Sequence, residues 1–186
     1  MAWRDILSRV VQASVEKAAS CEGEGCGALL VAAADAIYAP LAPVDAGSGE
    51  LKRLASRLAS IVVHSFVYNA LPKGIDGVRA ALEEVERITR EKQAVEKAKE
   101  ILGEVGVTLE PSPAEEPRHA VINSLRYYVE AYEEAMSTTR RRRKARPPSQ
   151  QDAVRHIRRL LREIGRTDPF LAKMIANILR SVGLPA

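Results

Sequence analysis

Three histidines, two cysteines and a crowd of arginines near the carboxyl end are the residues of this chain with chemistry to offer. His64, His119 and His156 lie far apart, and none has a cysteine or acid at a metal-ligand spacing such as H-E-x-x-H. Cys21 and Cys26 stand five apart in "CEGEGC". Zinc needs four ligands, usually Cys or His, and no second pair accompanies these two. Two free thiols at a helix junction are therefore expected, ahead of a local disulfide and well ahead of a zinc site. "GEGCG" lacks the lysine and the preceding strand of a phosphate loop. The acid pairs Glu83/Glu84, Glu115/Glu116 and Glu133/Glu134 read as surface pairs. No motif fixes a reaction, and neither a metal nor a cofactor is expected.

The arginines are another matter. Residues 1–136 carry 15 Lys/Arg against 21 Asp/Glu, a net of −6, whereas residues 137–186 carry 13 against 3, a net of +10. Arg140, Arg141, Arg142, Arg143, Lys144 and Arg146 repel one another until an anion neutralises them. Phosphates do this with release of counterions, which gives salt-sensitive affinity blind to sequence. Arginine adds bidentate phosphate contacts that lysine cannot make. Arg155, Arg158, Arg159, Arg162 and Arg166 follow at spacings of three and four, along one helix face. The competing reading is a solvated face beside a hinge, salt-bridged to the acidic 115–134 region. Few base-reading side chains (Lys173, Asn177, Arg180) follow in the last helix, so backbone contact is expected rather than base readout. Tyr127, Tyr128 and Tyr132 have the rings to stack bases, but at helical spacing they read first as core and rim.

These residues must be positioned by helices, since strand patterning is absent apart from "VGVTL". Trp3, Ile6, Leu7, Val10, Val11, Val15 and Ala18 make the stripe of a first helix. "ALLVAAADAIY", residues 28–38, is apolar nearly all round and should be buried. Leu51, Leu54, Leu58, Ile61, Val62 and Phe66 line a third helix that Ser48 can cap. Val63 and Val67 lie on its opposite side, so that helix is either central or part of an interface. Asp76 opens a long fourth helix to about Leu102, with Val78, Ala81, Leu82, Val85 and Ile88 inward and a charged second half. Pro117 opens a fifth, with Val121, Leu125, Tyr128, Tyr132 and Met136 on one side. Ser149 and Asp152 form a capping-box-like start to a sixth helix, whose stripe is Val154, Ile157, Leu160, Leu161 and Ile164 and which Gly165 should stop. Asp168 caps a seventh, and Pro169 takes its first turn, with Phe170, Leu171, Met174, Ile175, Ile178 and Leu179 inward.

The expected fold is all-α: an acidic bundle of about five helices over residues 1–136, a basic Pro-containing hinge at 137–148, and a basic helical hairpin at 149–186. A chain of 186 residues can bury a core of this kind without staples. No apolar run approaches the roughly 18 residues of a membrane span. The start "MAWRDILSRVVQ" is not patterned as a signal peptide, so a cytoplasmic protein is expected. Few Asn and Gln beside many Glu and Arg hint at a thermophile.

Two stretches resemble known families. "SFVYNALPKGIDGVRAALEEVERI", with Leu71-Pro72, Gly77 and Ala81-Leu82, resembles the small helical subunits of archaeal CRISPR effector complexes. That resemblance, over about a quarter of the chain, implies a non-catalytic bundle that stacks along an RNA–DNA filament through basic faces. "RLASIVVHSF" places Arg57 seven residues before His64 and is similar to the Arg-x4–6-His motif of HEPN ribonucleases. That similarity implies that Arg57 stabilises a phosphate and His64 assists proton transfer, although Leu58 stands where that family has a polar residue. The leading expectation is a non-catalytic accessory subunit of a ribonucleoprotein or DNA-processing complex. It would bind RNA or DNA backbone through Arg140–Arg146 and the arginines of the sixth helix, with other protein subunits as partners. A HEPN-like ribonuclease and a protein scaffold with a basic tail are the alternatives.

Overall fold

Helix follows helix along the chain, as the spacing of its apolar residues requires. The computed structural model describes residues 3–41, 49–90, 100–108, 115–138 and 146–186. The long elements are α1 (Trp3–Ser20), α2 (Cys26–Tyr38), α3 (Gly49–Ala70), α4 (Asp76–Arg90), α5 (Glu116–Thr138), α6 (Gln150–Thr167) and α7 (Pro169–Ser181). Single 3₁₀ turns, Ala39–Leu41 and Leu71–Lys73, close α2 and α3. Residues 100–103 are also helical, and no strand occurs among the described residues. The cap proposed at Ser48 and the charged half of the fourth helix at 91–99 lie outside them.

α3 is the axis of the molecule, with α1, α2, α5 and α6 packed around it. Val63 and Val67 are both 0% exposed. The helix is thus apolar on two sides because neighbours cover both, and these valines mark no protein interface. α3 with its following turn, Gly49–Lys73, is the one helix among the described residues long and apolar enough to cross a membrane, at a mean hydropathy of 1.2. Most of that apolar surface is used in the core. The hairpin is not a separate body either: Ala153, Ile157, Leu160, Ile164, Leu171, Ile175 and Leu179 join one core with Leu7, Leu30, Leu58 and Leu125. Each Leu or Ile buried there contributes about 1.5–3 kcal/mol relative to exposure.

α2 is buried from Cys26 to Ile37, as its composition requires. Its start has no cap of its own, because Gly25 sits at φ 103 and offers no side chain. Glu84 of α4 supplies one instead. Its carboxylate accepts from Gly25 N–H at 3.1 Å and from Gly27 N–H at 2.9 Å, placing negative charge at the positive end of the helix. A Cβ at Gly27 would lie 2.8 Å from the Ala81 carbonyl oxygen and 2.9 Å from Glu84 Cβ, so only glycine lets α2 and α4 approach this closely. The same turn overturns the expectation of free thiols: Cys21 and Cys26 are joined in a disulfide. Positive φ at Gly23 and Gly25 folds the intervening chain back until the two Cα atoms are 5.9 Å apart, within disulfide range.

Three further expectations are corrected. α6 does not stop at Gly165 but continues to Thr167. A lone glycine costs a helix only about 1 kcal/mol, whereas Pro169 forces the residue before it out of the α region. Asp168 accordingly adopts φ −141, ψ 90. It caps α7 through Leu171 N–H at 2.9 Å, and its other oxygen accepts from Arg4 at 2.6 Å, tying α1 to the hairpin turn. Phe170 and Met136, assigned to apolar stripes, are exposed. Phe170 lies in the first turn of α7, under the Arg4 guanidinium at 5.7 Å rather than in the core.

Asp35 is the most costly residue of the core. It is 1% exposed, neither carboxylate oxygen has a hydrogen-bond partner among the described residues, and the Arg118 Nε atom is buried unpartnered as well. Burial raises its pKa to about 7, against the opposing pull of Arg118. The unfolded carboxyl ionises near pH 4 and the folded one near 7, so this residue lowers stability progressively as pH rises through that window. Asp35→Asn is expected to leave the denaturant midpoint nearly unchanged at pH 4 and to stabilise the protein by on the order of 4 kcal/mol at pH 8. Gly27→Ala is expected to cost about 1–3 kcal/mol in the same urea titration at any pH, because Ala81 and Glu84 must move.

Candidate nucleic-acid interface

The position of the basic residues follows from how α6 begins and what it buries. Asp152 accepts from the Ser149 N–H at 2.7 Å and its hydroxyl at 2.9 Å, a capping box with Asp in the acid's place. Ala153, Ile157, Leu160 and Ile164 then face α3 and the core. With 3.6 residues per turn, Arg155, Arg158, Arg159, Arg162 and Arg166 fall within an arc of about 100° on the opposite side. All five are exposed, so the expected single face exists.

The face is only partly neutralised, and its acids come from α6 itself. Arg155 meets Asp152 at 3.3 Å and Arg159 meets Glu163 at 3.8 Å, with side chains still 75% and 61% exposed. Such exposed pairs contribute little and yield readily to a competing anion. Arg158, Arg162 and Arg166 have no acidic partner among the described residues. Arg146 is exposed just ahead of the helix. Arg140, Arg141, Arg142, Arg143 and Lys144 lie outside the described residues.

On one flank of this face is an open groove of about 440 Å³. Arg155, Arg158 and Arg162 line it with Gln150, Gln151 and Val154; Tyr68 of α3 and Pro185 of the tail form the other side. No acidic residue among the described residues lines it. The tail is held by Leu184 in the core and by Arg180 Nε donating to the Ala186 carbonyl at 3.1 Å. Gln150 and Tyr68, 82 residues apart, touch through Gln150 Nε2 and the Tyr68 carbonyl at 3.5 Å. The role of Tyr68, Gln150, Gln151 and Pro185 had no signal in the sequence.

On the other flank, helices α3, α5 and α6 bring together an aromatic cluster. His64 stacks on His156 with ring centroids 5.0 Å apart, and Tyr128 meets His64 edge-on at 5.2 Å. His156 Nε2 and the Tyr127 hydroxyl are 2.9 Å apart. The expected reading of the tyrosines divides: Tyr128 is core, Tyr132 is half-buried beside Arg79, and Tyr127 is 48% exposed. His64 is 6% exposed, with Nδ1 unpartnered. Burial, then the neighbouring His156 and Arg159, lower its pKa to about 3, so it is neutral across the physiological range. Burial also lowers His156, with Arg159 and Arg155 adding to this and Asp152 opposing. Arg57 is held by Glu163, its Nε 3.4 Å from the carboxylate. Among the described residues no three His, Cys, Asp or Glu side chains gather as a metal site.

No family model, curated protein or solved structure matches this chain.

The neutral His64 has a consequence for stability. The unfolded imidazole takes its proton near pH 6.5 and the folded one only near 3, so stability is complete above pH 6.5 and is lost as pH falls. A loss of roughly 3 kcal/mol between pH 6.5 and 4 is expected from this residue. His64→Phe, compared with the parent in urea titrations across that range, should flatten the acid limb by that amount.

Proposed function

We propose that this chain is a non-catalytic nucleic-acid-binding subunit of a larger ribonucleoprotein or DNA-processing assembly, gripping the phosphate backbone without sequence preference. The observation that carries this reading is the groove beside α6, where Arg155, Arg158 and Arg162 converge, none of the described lining residues is acidic, and only Arg155 has a carboxylate partner among the described residues, the exposed pair with Asp152. Guanidinium groups so placed suit phosphate oxygens bidentately. Arg158 and Arg162 have no acidic partner among the described residues to give up, Arg162 holding only the Arg158 carbonyl through Nε at 3.4 Å, while Arg155 and Arg159 can exchange weak carboxylate pairs for phosphate. The six cations of residues 140–146 adjoin this helix in sequence and add to the same attraction. A HEPN-like ribonuclease would need Arg57 and His64 open to one phosphate. Arg57 is occupied by Glu163 and His64 lies inside the α3–α6 seam, so binding is the better supported reading.

The test is fluorescence anisotropy with labelled oligonucleotides at rising salt. Affinity should fall steeply, and Arg158→Ala/Arg162→Ala should bind about tenfold more weakly at low salt. Its log–log salt slope should be shallower by about 1.4, the value for two lost phosphate contacts on a single strand. Affinity that is flat with salt, or a double variant that binds like the parent, overturns the reading.

A further inference from the structure

We propose that the pocket between α5 and the first turns of α6 receives one unstacked nucleotide, so that the chain prefers single-stranded nucleic acid to duplex. This rests on the nucleic-acid reading above and specifies which form is bound. The pocket measures about 250 Å³, small beside typical pockets for drug-sized ligands and suited to a single nucleotide unit. Its lining has two chemistries. Tyr127, His156 and Pro148 supply flat or apolar surface, and Arg146 and Arg155 supply cations. A nucleotide has the matching halves, a π-faced base and a phosphate.

The aromatic side is held ready. The Tyr127 hydroxyl is bonded to His156 Nε2 at 2.9 Å, and the Tyr127 ring meets Tyr128 and His156 edge-on at 5.2 and 4.9 Å. A half-exposed ring fixed in this way loses little freedom when a base stacks on it. Tyr128 also lines the pocket, and its buried hydroxyl has no hydrogen-bond partner among the described residues. Buried hydroxyls nearly always have one, so the pocket carries an unmet polar group besides its cations. Asp152, the one acid among the described lining residues, is engaged by the Ser149 N–H, the Ser149 hydroxyl and Arg155.

Continuity with the groove gives the pocket its role. Arg155 lines both concavities. A strand whose phosphates follow Arg162, Arg158 and Arg155 therefore arrives at the pocket mouth. A duplex can lay its backbone on the same arginines, but its bases are stacked and paired and cannot enter. Single strands, loops and frayed ends can splay a base out.

Anisotropy with a short oligouridylate, an oligothymidylate and a blunt duplex of equal length tests this. The single strands should bind about tenfold more tightly than the duplex. Tyr127→Ala should lose about that factor on single strands and nothing on the duplex, whereas Tyr127→Phe, which keeps the ring and its edge contacts but loses the hydroxyl's bond to His156, should recover most of it. A melting curve matching the parent's establishes that Tyr127→Ala is folded. Cross-linking of a 4-thiouridine oligonucleotide to the peptide containing Tyr127 would support the proposal independently. Equal binding of single strand and duplex, or Tyr127→Ala binding single strands like the parent, overturns the pocket while the Arg158 and Arg162 reading stands. If none of the three probes binds, both fall.

Discussion

Everything outside the core of this protein depends on how fully α3, beyond its exposed first turn, is covered by its neighbours. Four helices press on it, and the last to arrive in sequence, α6, must spend Ala153, Ile157, Leu160 and Ile164 to cover the remaining side. Once those are turned inward, helical periodicity allows the arginines only one direction. Its rotation is set at both ends, by the Ser149–Asp152 capping box and by Asp168, which caps α7 while binding Arg4. A displaced α6 would bury guanidinium groups, and unpaired buried charge is among the largest penalties a fold can carry. The basic face is thus a consequence of core packing as much as of composition.

The core that imposes this is not wholly apolar. α2 owes its close approach to α4 to Gly27, and its first turn to the carboxylate of Glu84 from α4, so the two helices are stitched where α2 has no local cap. Asp35 and His64 are the ionisable exceptions inside, and both adapt by favouring their neutral forms. Their effects on stability run in opposite directions with pH. His64 also links the core to the surface: it stacks on His156, which in turn meets the Tyr127 hydroxyl. An imidazole buried in the α3–α6 seam thereby orients a ring on the basic face.

The two flanks of α6 offer the two kinds of surface that the proposed single-strand binding would use. One is a cationic groove with no acid among its described lining residues, suited to following phosphates; the other is an aromatic pocket with cations at its edge. Arg155 belongs to both. Stacking and charge are the two terms that bind unpaired strands without reading their sequence, and here they lie on the two sides of one helix.

How much of this was legible beforehand follows from the range of each interaction. Helix identity, the capping box of α6, the Asp168 cap, the buried character of α2 and the single arginine face are all settled within a turn or two of chain, where periodicity and local hydrogen bonds act. The sequence by itself therefore determined the all-α class and the charged side of α6. What only the tertiary structure decided lies between residues distant in the chain. It buried Val63 and Val67, brought His64 to His156, set Tyr68 and Pro185 opposite Arg158, sent Glu84 to the start of α2, and left Phe170 outside. Even the nearby Cys21 and Cys26 belong with these, because their pairing depends on a turn through Gly23 and Gly25 whose conformation their spacing alone does not specify. The physical reason is the same in each case. A periodic pattern states which face of a helix is apolar, but not which neighbour covers it, and pockets form where neighbours meet.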